Sequence, residues 1–246
     1  MEGQARSAQR IIVALDVDTR ERALALVRQL EQADIFKVGL KLFTAEGPSL
    51  LQDIQSQQKK IFLDLKLHDI PNTVAGAVEM SLKYGVQMLT LHASGGKEMM
   101  SRAVEAAAQG PTKPLLLAVT ILTSLKEEEL KAIGMAASAQ DQVLRLSGLA
   151  KEAGVDGVVC SPEEIEIIRR EFGRGLVVVT PGIRPLWASP DDQKRIMTPA
   201  QALEKGADYL VIGRPILEAP SPSEAFRKIH EELESAVHSS HGKDRS

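Results

Sequence analysis

The sequence has little of what marks secreted, disulfide-rich or membrane proteins. Cysteine occurs once, at Cys160, so no intramolecular disulfide can form. The longest apolar runs, such as LLLAVTIL at 115–122, are far below the roughly 20 residues that a bilayer-spanning helix needs. The first ten residues lack the apolar core of a secretory signal. We therefore expect a protein of the reducing cytoplasm with no membrane partner.

The chain also lacks a strong excess of charge of either sign. Its 30 Lys and Arg residues oppose 33 Asp and Glu residues, which gives a net charge of −3. This balance does not indicate a nucleic-acid partner or an anionic membrane surface. With 43% hydrophobic and 26% charged residues, the composition is that of a globular protein that can bury a large core.

Short apolar, β-branched segments alternate with amphipathic segments along the whole chain. This pattern predicts eight strands, at 11–17, 35–40, 60–67, 88–93, 115–122, 157–161, 176–182 and 209–215. Eight strand–helix units predict an α/β fold of the (β/α)8 TIM barrel type, as a single domain over 11–237. Flexible segments are expected at 1–10 and 238–246.

The main alternative to the barrel is a doubly wound open sheet. Such a sheet usually carries a glycine-rich turn after its first strand, whereas DVDTRERA contains no glycine. In that turn, either Thr19 acts as a helix N-cap or Asp18 and Glu21 form a capping box. Two long connections, after strands five and seven, are typical of lids or binding loops, and the first is expected to hold a short helix.

Polar residues collect where the predicted strands end, which is where barrel enzymes carry their sites. Because side chains alternate along a strand, Asp64 and Lys66 are predicted to face the barrel interior together, with Lys37 reaching the same mouth. Buried charges of this kind need partners of opposite sign, and such groups often have chemical roles. The full set is Asp16, Lys37, Asp64, Lys66, His92, Thr123, Gly182, Arg184, Gly213 and Arg214.

Structural roles remain open for several of these residues. Asp64 and Lys66 can form a structural ion pair, and Asp69 can be the N-cap of a helix that starts near Pro71. His92 taken alone is more readily a structural residue than a catalyst. Arg214 can be a surface charge, but barrels often bind phosphate with the loops after strands seven and eight. A metal is not expected, because no His/Cys cluster is present and lysines lie among the carboxylates.

Six motifs in order then carry a family resemblance. The chain resembles the orotidine 5'-phosphate decarboxylase family, in its bacterial form, from about residue 11 to about residue 235. The D-x-K-x-x-D pattern alone is less specific, because related barrels that act on sugar phosphates share it. The motifs are ALDV (14–17), FKVG (36–39), DLKLHDIPNT (64–73), VTILTS (119–124), TPGIRP (180–185) with DQKRIMTP (192–199), and VIGRPI (211–216).

The resemblance implies a decarboxylase that converts orotidine 5'-monophosphate to uridine 5'-monophosphate and carbon dioxide without a cofactor. By this resemblance, Lys66 donates the proton that replaces carbon dioxide, and Asp64 lies against the substrate carboxylate. Lys37 belongs to the same charged network. Asp69 and Thr73 are implied to enter the site of the other subunit of a homodimer.

The resemblance also implies which residues bind the rest of the substrate. Asp16 and Lys37 hold the ribose hydroxyls, and Thr123 contacts the pyrimidine edge. The phosphate lies at the loops after strands seven and eight. The residues expected there are Pro181, Arg184, Gln193, Gly213 and Arg214, and all but Pro181 hold the phosphate itself.

Two other functions remain open. A metal-dependent lyase or aldolase on the same barrel would share Asp64, Lys66 and Asp69, but it would need a divalent metal and would have no use for a pyrimidine contact at Thr123. A non-catalytic sensor would bind uridine 5'-monophosphate without turnover. The intact lysine–aspartate set argues against the sensor.

Overall fold

The computed structural model describes residues 8–135, 138–188 and 197–243, with side chains described as far as residue 236. Eight parallel strands are hydrogen-bonded in chain order and close into a barrel. The predicted single-domain (β/α)8 TIM barrel is therefore confirmed. The strands are β1 (Ile11–Ala14), β2 (Ile35–Gly39), β3 (Lys60–Leu67), β4 (Met88–His92), β5 (Leu115–Val119), β6 (Gly157–Val159), β7 (Val177–Thr180) and β8 (Tyr209–Ile212).

Helices follow the strands in the alternation that the sequence predicts. The connection after β5 holds the expected short helix, and short 3₁₀ turns at Ala93–Gly95 and Pro162–Glu164 follow β4 and β6. The helices are α1 (Arg20–Gln29), α2 (Leu40–Glu46), α3 (Ser49–Ser56), α4 (Pro71–Leu82), α5 (Gly96–Ala107), α6 (Glu127–Ala132), α7 (Ala139–Glu152), α8 (Ile165–Phe172), α9 (Pro199–Glu204), α10 (Arg214–Leu217) and α11 (Pro222–Lys243).

The chain forms two compact units, Met1–Asp64 with Thr180–Ser246, and Leu65–Val179. In the first, β1 pairs with both β2 and β8, and β2 pairs with β3. The register sets Ala14 beside Lys37 and Gly39 beside Asp64. These pairings bring the carboxyl ends of β1, β2 and β3 to one edge of the sheet.

The second unit contains the pairs β4–β5, β5–β6 and β6–β7. Its strands are almost completely buried, as Leu89, Leu116 and Val158 illustrate with no exposed surface. Parallel strands covered by helices have two apolar faces, which explains the near-continuous apolar runs in the sequence. Helix α4 packs against α5 in this unit.

Most strands end earlier than the sequence predicts. The prediction for β3 matches its bounds, whereas the fifth predicted strand runs to residue 122 and the observed one ends at Val119. The apolar pattern continues because Ile121 and Cys160, which follow β5 and β6, are still buried at 7% and 0% exposure. Apolar residues that stay buried just beyond the strand limits therefore extend the predicted strands.

The start of α1 decides between the two capping hypotheses. The Thr19 hydroxyl accepts the Arg22 N–H, so Thr19 is the N-cap of α1 as one of the two hypotheses held. The last helix extends to Lys243, which overlaps the tail expected at 238–246. The domain limits of 11–237 stay a prediction.

Within the described ranges, no helix is both long and apolar enough to cross a bilayer.

Candidate active site

A lysine between two aspartates lies at the carboxyl ends of β1, β2 and β3. The Lys37 ammonium is 3.2 Å from Asp16 Oδ1 and 3.6 Å from Asp64 Oδ2. The side chains of Lys37 and Asp64 are 11% and 12% exposed, whereas that of Asp16 is 60% exposed. Asp16 lies two residues beyond the end of β1 rather than on it. Buried charges are tolerated when they are paired, and the interleaved order of signs supplies that pairing.

Two glycines border this cluster, which we name the Lys37 cluster (Asp16, Lys37, Asp64). A Cβ on Gly39 would lie 3.1 Å from Lys37 Nζ, and a Cβ on Gly213 would lie 3.3 Å from Asp16 Oδ2. Both distances are tighter than ordinary van der Waals contact. The sequence analysis missed Gly39, although a glycine at a strand end is a signal for close approach of another group.

The loop after β7 carries a buried arginine. Arg184 is 4% exposed, and its backbone N–H donates to the Met197 carbonyl at 3.0 Å. Ile183 and Met197 form an isolated parallel bridge, which joins the two described sides of this loop. Gly182 has a φ of 77°, a left-handed conformation that glycine adopts without strain. Gln193 lies outside the described residues, so its predicted place is not tested.

The second arginine of the predicted phosphate site is placed differently from the prediction. Strand β8 ends at Ile212, so Gly213 and Arg214 do not end the strand: Gly213 caps the short helix α10 and Arg214 begins it. The apolar run into this helix made the strand seem longer than it is. Arg214 is exposed, in contrast to Arg184, while Pro181 and Gly213 are half-buried.

Lys66 has an unusual backbone. It lies within β3, two residues after Asp64, with a φ of 51°. A non-glycine residue in the left-handed region is uncommon, and inside a strand it is strained. The alternation that predicted a common direction for Asp64 and Lys66 assumes extended backbone, so it does not apply at Lys66. The side chain of Lys66 is half-buried.

The strand β4 provides a contact to this strained residue. The Lys66 backbone N–H donates to Thr90 Oγ1 at 2.9 Å, and Thr90 is fully buried. Thr90 is not among the residues predicted from the sequence, because a threonine in MLTLH is an ordinary strand residue with no motif around it. His92, at the end of β4, has its ring 5.3 Å from the His68 ring.

Three predicted site residues lie on exposed positions of the second unit. Asp69 and Thr73 are exposed at the start of α4, and Thr123 is exposed four residues after β5. The alternative role of Asp69 as N-cap is wrong: Ile70 occupies that position, and no side chain caps the helix. The Asp69 carboxylate instead accepts the N–H of Ile70 at 2.7 Å, one residue before the helix begins.

Metal ligands are not grouped anywhere in the part of the chain that the structure describes: no three His, Cys, Asp or Glu side chains are arranged to hold an ion. The Asp16 and Asp64 carboxylates lie beside the Lys37 ammonium, which would oppose a cation at the same place. The cluster is thus suited to hydrogen bonds with uncharged polar groups such as sugar hydroxyls.

A closed (β/α)8 barrel with charged residues at its strand ends is the architecture of a barrel enzyme, and comparison with known proteins specifies the family. The sequence profile of the orotidine 5'-phosphate decarboxylase / HUMPS family matches residues 9–229. The chain belongs to this family, and the predicted enzyme class, a carboxy-lyase, is confirmed by its named relatives.

The similarity to individual relatives covers nearly the whole chain. An orotidine 5'-phosphate decarboxylase of Nitrosococcus oceani is 52% identical over 91% of this chain and 97% of its own. That of Gloeothece citriformis is 49% identical over the same shares of the two chains. The crystal structure of the enzyme from Lactobacillus acidophilus matches with a TM-score of 0.83 and 37% identity, covering 92% of this chain and 99% of its own.

Proposed function

We propose that this chain decarboxylates orotidine 5'-monophosphate to uridine 5'-monophosphate, as a cytoplasmic enzyme of de novo pyrimidine synthesis. One observation carries the proposal: the buried Lys37–Asp64 ion pair lies on strands that lead, two residues further along β3, to Lys66 in a strained conformation. Strain of this kind persists where the surrounding structure holds it, and it concentrates at functional sites. Membership of the decarboxylase family supports the same assignment.

The chemical step has a clear electron balance. The bond between C6 and the carboxylate breaks, carbon dioxide leaves, and the electron pair remains on C6. Lys66 Nζ then gives a proton to C6, and the neutral amine regains a proton from solvent. The carbanion has no adjacent carbonyl that could accept the charge, so a fixed ammonium beside C6 is the stabilising group. We propose that no metal or cofactor takes part.

The Lys37 cluster has two tasks in this proposal. Asp64 lies against the substrate carboxylate, where its negative charge opposes the ground state more than the transition state. Lys37 pairs directly with Asp64 and, with Asp16, holds the ribose hydroxyls. The half-exposed Asp16 offers acceptor oxygens to a ligand even while it contacts Lys37.

The phosphate is assigned to the loops after β7 and β8. Arg184, Gly213 and Arg214 hold it, with Gln193, while Pro181 lines the same part of the substrate. A guanidinium binds a phosphate with two parallel hydrogen bonds, and a glycine lets the backbone come close. Thr123 contacts the pyrimidine edge. Binding energy from these remote groups can promote the reaction at C6.

The proposal includes a homodimer in which Asp69 and Thr73 enter the partner's site. Asp69, Ile70 and Thr73 are exposed on this chain, and Ile70 is an apolar side chain with 67% of its surface exposed. An apolar residue flanked by two polar residues at a helix start is suited to a symmetric contact, in which each chain gives the other the same groups.

The test of the function is an absorbance assay on the purified full chain with orotidine 5'-monophosphate, with and without EDTA. We expect loss of the substrate absorbance at the same rate in both samples, and uridine 5'-monophosphate as the product. Binding of that nucleotide without turnover would identify a sensor. Turnover that EDTA abolishes and Mg²⁺ restores would identify a metal-dependent lyase.

The shared site is tested with two inactive variants, Lys66→Ala and Asp69→Ala. After dissociation, mixing and reassembly, half of the dimers are mixed, and each mixed dimer has one intact site of two. Roughly a quarter of wild-type activity should therefore return. If mass analysis confirms subunit exchange and activity stays at the level of the separate variants, Asp69 acts within its own chain.

A further inference from the structure

The backbone of Lys66 differs from ordinary left-handed residues. Two non-glycine residues have positive φ in the described part of the chain, Gln58 at 60° and Lys66 at 51°. Gln58 is an exposed residue in the turn after α3, where left-handed backbone is common. Lys66 lies inside a strand, where no turn calls for that conformation. A contact with the rest of the unit must therefore favour it.

The contact to Thr90 has the right position for this task. Thr90 lies in β4, next to β3 in the barrel, and its fully buried hydroxyl accepts the Lys66 N–H at 2.9 Å. A hydrogen bond to this N–H fixes the plane of the peptide that precedes the Lys66 Cα. That plane and the φ angle together set the direction of the Lys66 side chain.

We infer that Thr90 is a positioning residue for the reaction: its hydroxyl holds the Lys66 backbone in the left-handed conformation and so directs the ammonium at C6. The inference rests on the proposed function, in which Lys66 is the proton donor. It adds a residue that has no ionisable group and no direct contact with the reacting carbon.

Threonine is well suited to this role. Its branched Cβ restricts the χ1 angle, so the position of the hydroxyl does not depend on the conformation of Lys66. Valine has nearly the same shape but no acceptor, and it would leave the Lys66 N–H without the Thr90 oxygen. Serine keeps the oxygen and loses only the methyl group. These two substitutions therefore separate the hydrogen bond from the packing.

A displaced proton donor should affect the chemical step more than binding. A shift of about 1 Å at a reacting group can lower a rate on the order of 100-fold. Phosphate and ribose groups are bound by other residues, which Thr90 does not touch in the proposal. We expect Thr90→Val to lower kcat by roughly 10- to 100-fold, while the Kd for uridine 5'-monophosphate changes by less than about two-fold.

The experiment compares Thr90→Val with Thr90→Ser and with Thr120→Val in the full chain. Thr120 is a matched control, because it is a 4% exposed threonine of the same unit whose hydroxyl donates to the Val159 carbonyl at 3.3 Å. Thr90→Ser and Thr120→Val should keep kcat within about three-fold of wild type. If Thr90→Val does not fold, Thr90→Ala provides the same comparison, since it also lacks the oxygen.

A second measurement does not depend on activity. The backbone amide of Lys66 should exchange its hydrogen with solvent faster in Thr90→Val than in Thr90→Ser, because its acceptor is lost. Unchanged kcat and unchanged exchange in a folded Thr90→Val variant would overturn the inference, as would an equal loss of kcat in Thr120→Val. The wild-type assay separates this failure from that of the function: an inactive wild type contradicts the proposed decarboxylation, whereas an active wild type with an active Thr90→Val contradicts only the role of Thr90.

Discussion

Two parts of the candidate site hold their charges in different ways. Lys37 lies on regular extended backbone and is fixed by its side chain, between Asp16 at 3.2 Å and Asp64 at 3.6 Å. Lys66 is fixed by its main chain, through a φ of 51° and the hydrogen bond of its N–H to Thr90. The first arrangement is a network of side-chain ion pairs. The second sets a direction that the side chain alone does not determine.

This difference corresponds to the two tasks in the proposed reaction. Groups that hold the substrate benefit from several mutually paired charges, since each partner compensates the buried charge of the next. A proton donor must meet one carbon, so its direction matters more than its pairing. Variants of the first kind should therefore weaken nucleotide binding, and variants of the second kind should lower kcat alone.

Among the residues proposed to hold the substrate, Arg214 should give the largest effect when it is replaced by alanine. In the proposed site the substitution removes a charge-assisted hydrogen bond to phosphate, worth roughly 1.5–3 kcal/mol, so kcat/KM should fall about 10- to 100-fold. The affinity for uridine 5'-monophosphate should fall by a similar factor. The control is uridine, which lacks the phosphate: if its binding suffers as much from the substitution, Arg214 does not bind the phosphate.

Gly39→Ala, beside the Lys37 cluster, should have a smaller effect on substrate binding. The backbone of Gly39, with φ −93° and ψ 178°, accepts alanine without strain, but the new Cβ would lie 3.1 Å from Lys37 Nζ. Displacement of the ammonium should weaken uridine 5'-monophosphate binding roughly three- to ten-fold, or about 0.7–1.4 kcal/mol.

The matched control for this change is Gly148→Ala in α7, measured by titration of the same nucleotide. A Cβ there would meet the Phe172 ring at 3.8 Å, an ordinary contact, and no charged group. Its nucleotide affinity should equal that of wild type. Equal affinities for Gly39→Ala and Gly148→Ala would show that the position of Lys37 does not matter for binding.

Lys66→Gly and Lys66→Ala test the strain directly, through stability rather than activity. Both remove the amine, but only glycine adopts a φ of 51° without penalty. The glycine variant should therefore have the higher free energy of unfolding, by about 1 kcal/mol, in urea denaturation. Substitution at an ordinary strand position gives the reverse order, because glycine destabilises a strand. A more stable alanine variant would thus refute the strained conformation.

The sequence was informative about the Lys37 cluster and much less so about Lys66. Repeating apolar segments predicted all eight strands, residue types at the strand ends predicted that Lys37 lies near Asp64, and the family resemblance placed Asp16 with Lys37. Charged residues within an apolar segment are uncommon, so they can be identified from the sequence alone.

The conformation of Lys66 could not be predicted in the same way. Prediction of a strand from its sequence pattern assumes that every residue has extended backbone. The residues next to Lys66 include no glycine that would indicate a positive φ. The Thr90 contact joins residues 24 positions apart, and it depends on the alignment of two neighbouring strands. The apolar continuation past β8 also concealed that Gly213 caps a helix that begins at Arg214.

The most direct test of the central claim is the kcat of Lys66→Ala for orotidine 5'-monophosphate, measured together with its Kd for uridine 5'-monophosphate. Loss of a general acid lowers rates by about 100- to 10,000-fold, and loss of the ammonium that stabilises the carbanion adds to this. We expect kcat to fall by at least that range while the nucleotide still binds, because the phosphate and ribose contacts remain. A variant that keeps a substantial fraction of wild-type kcat would contradict the assignment of Lys66 as the proton donor.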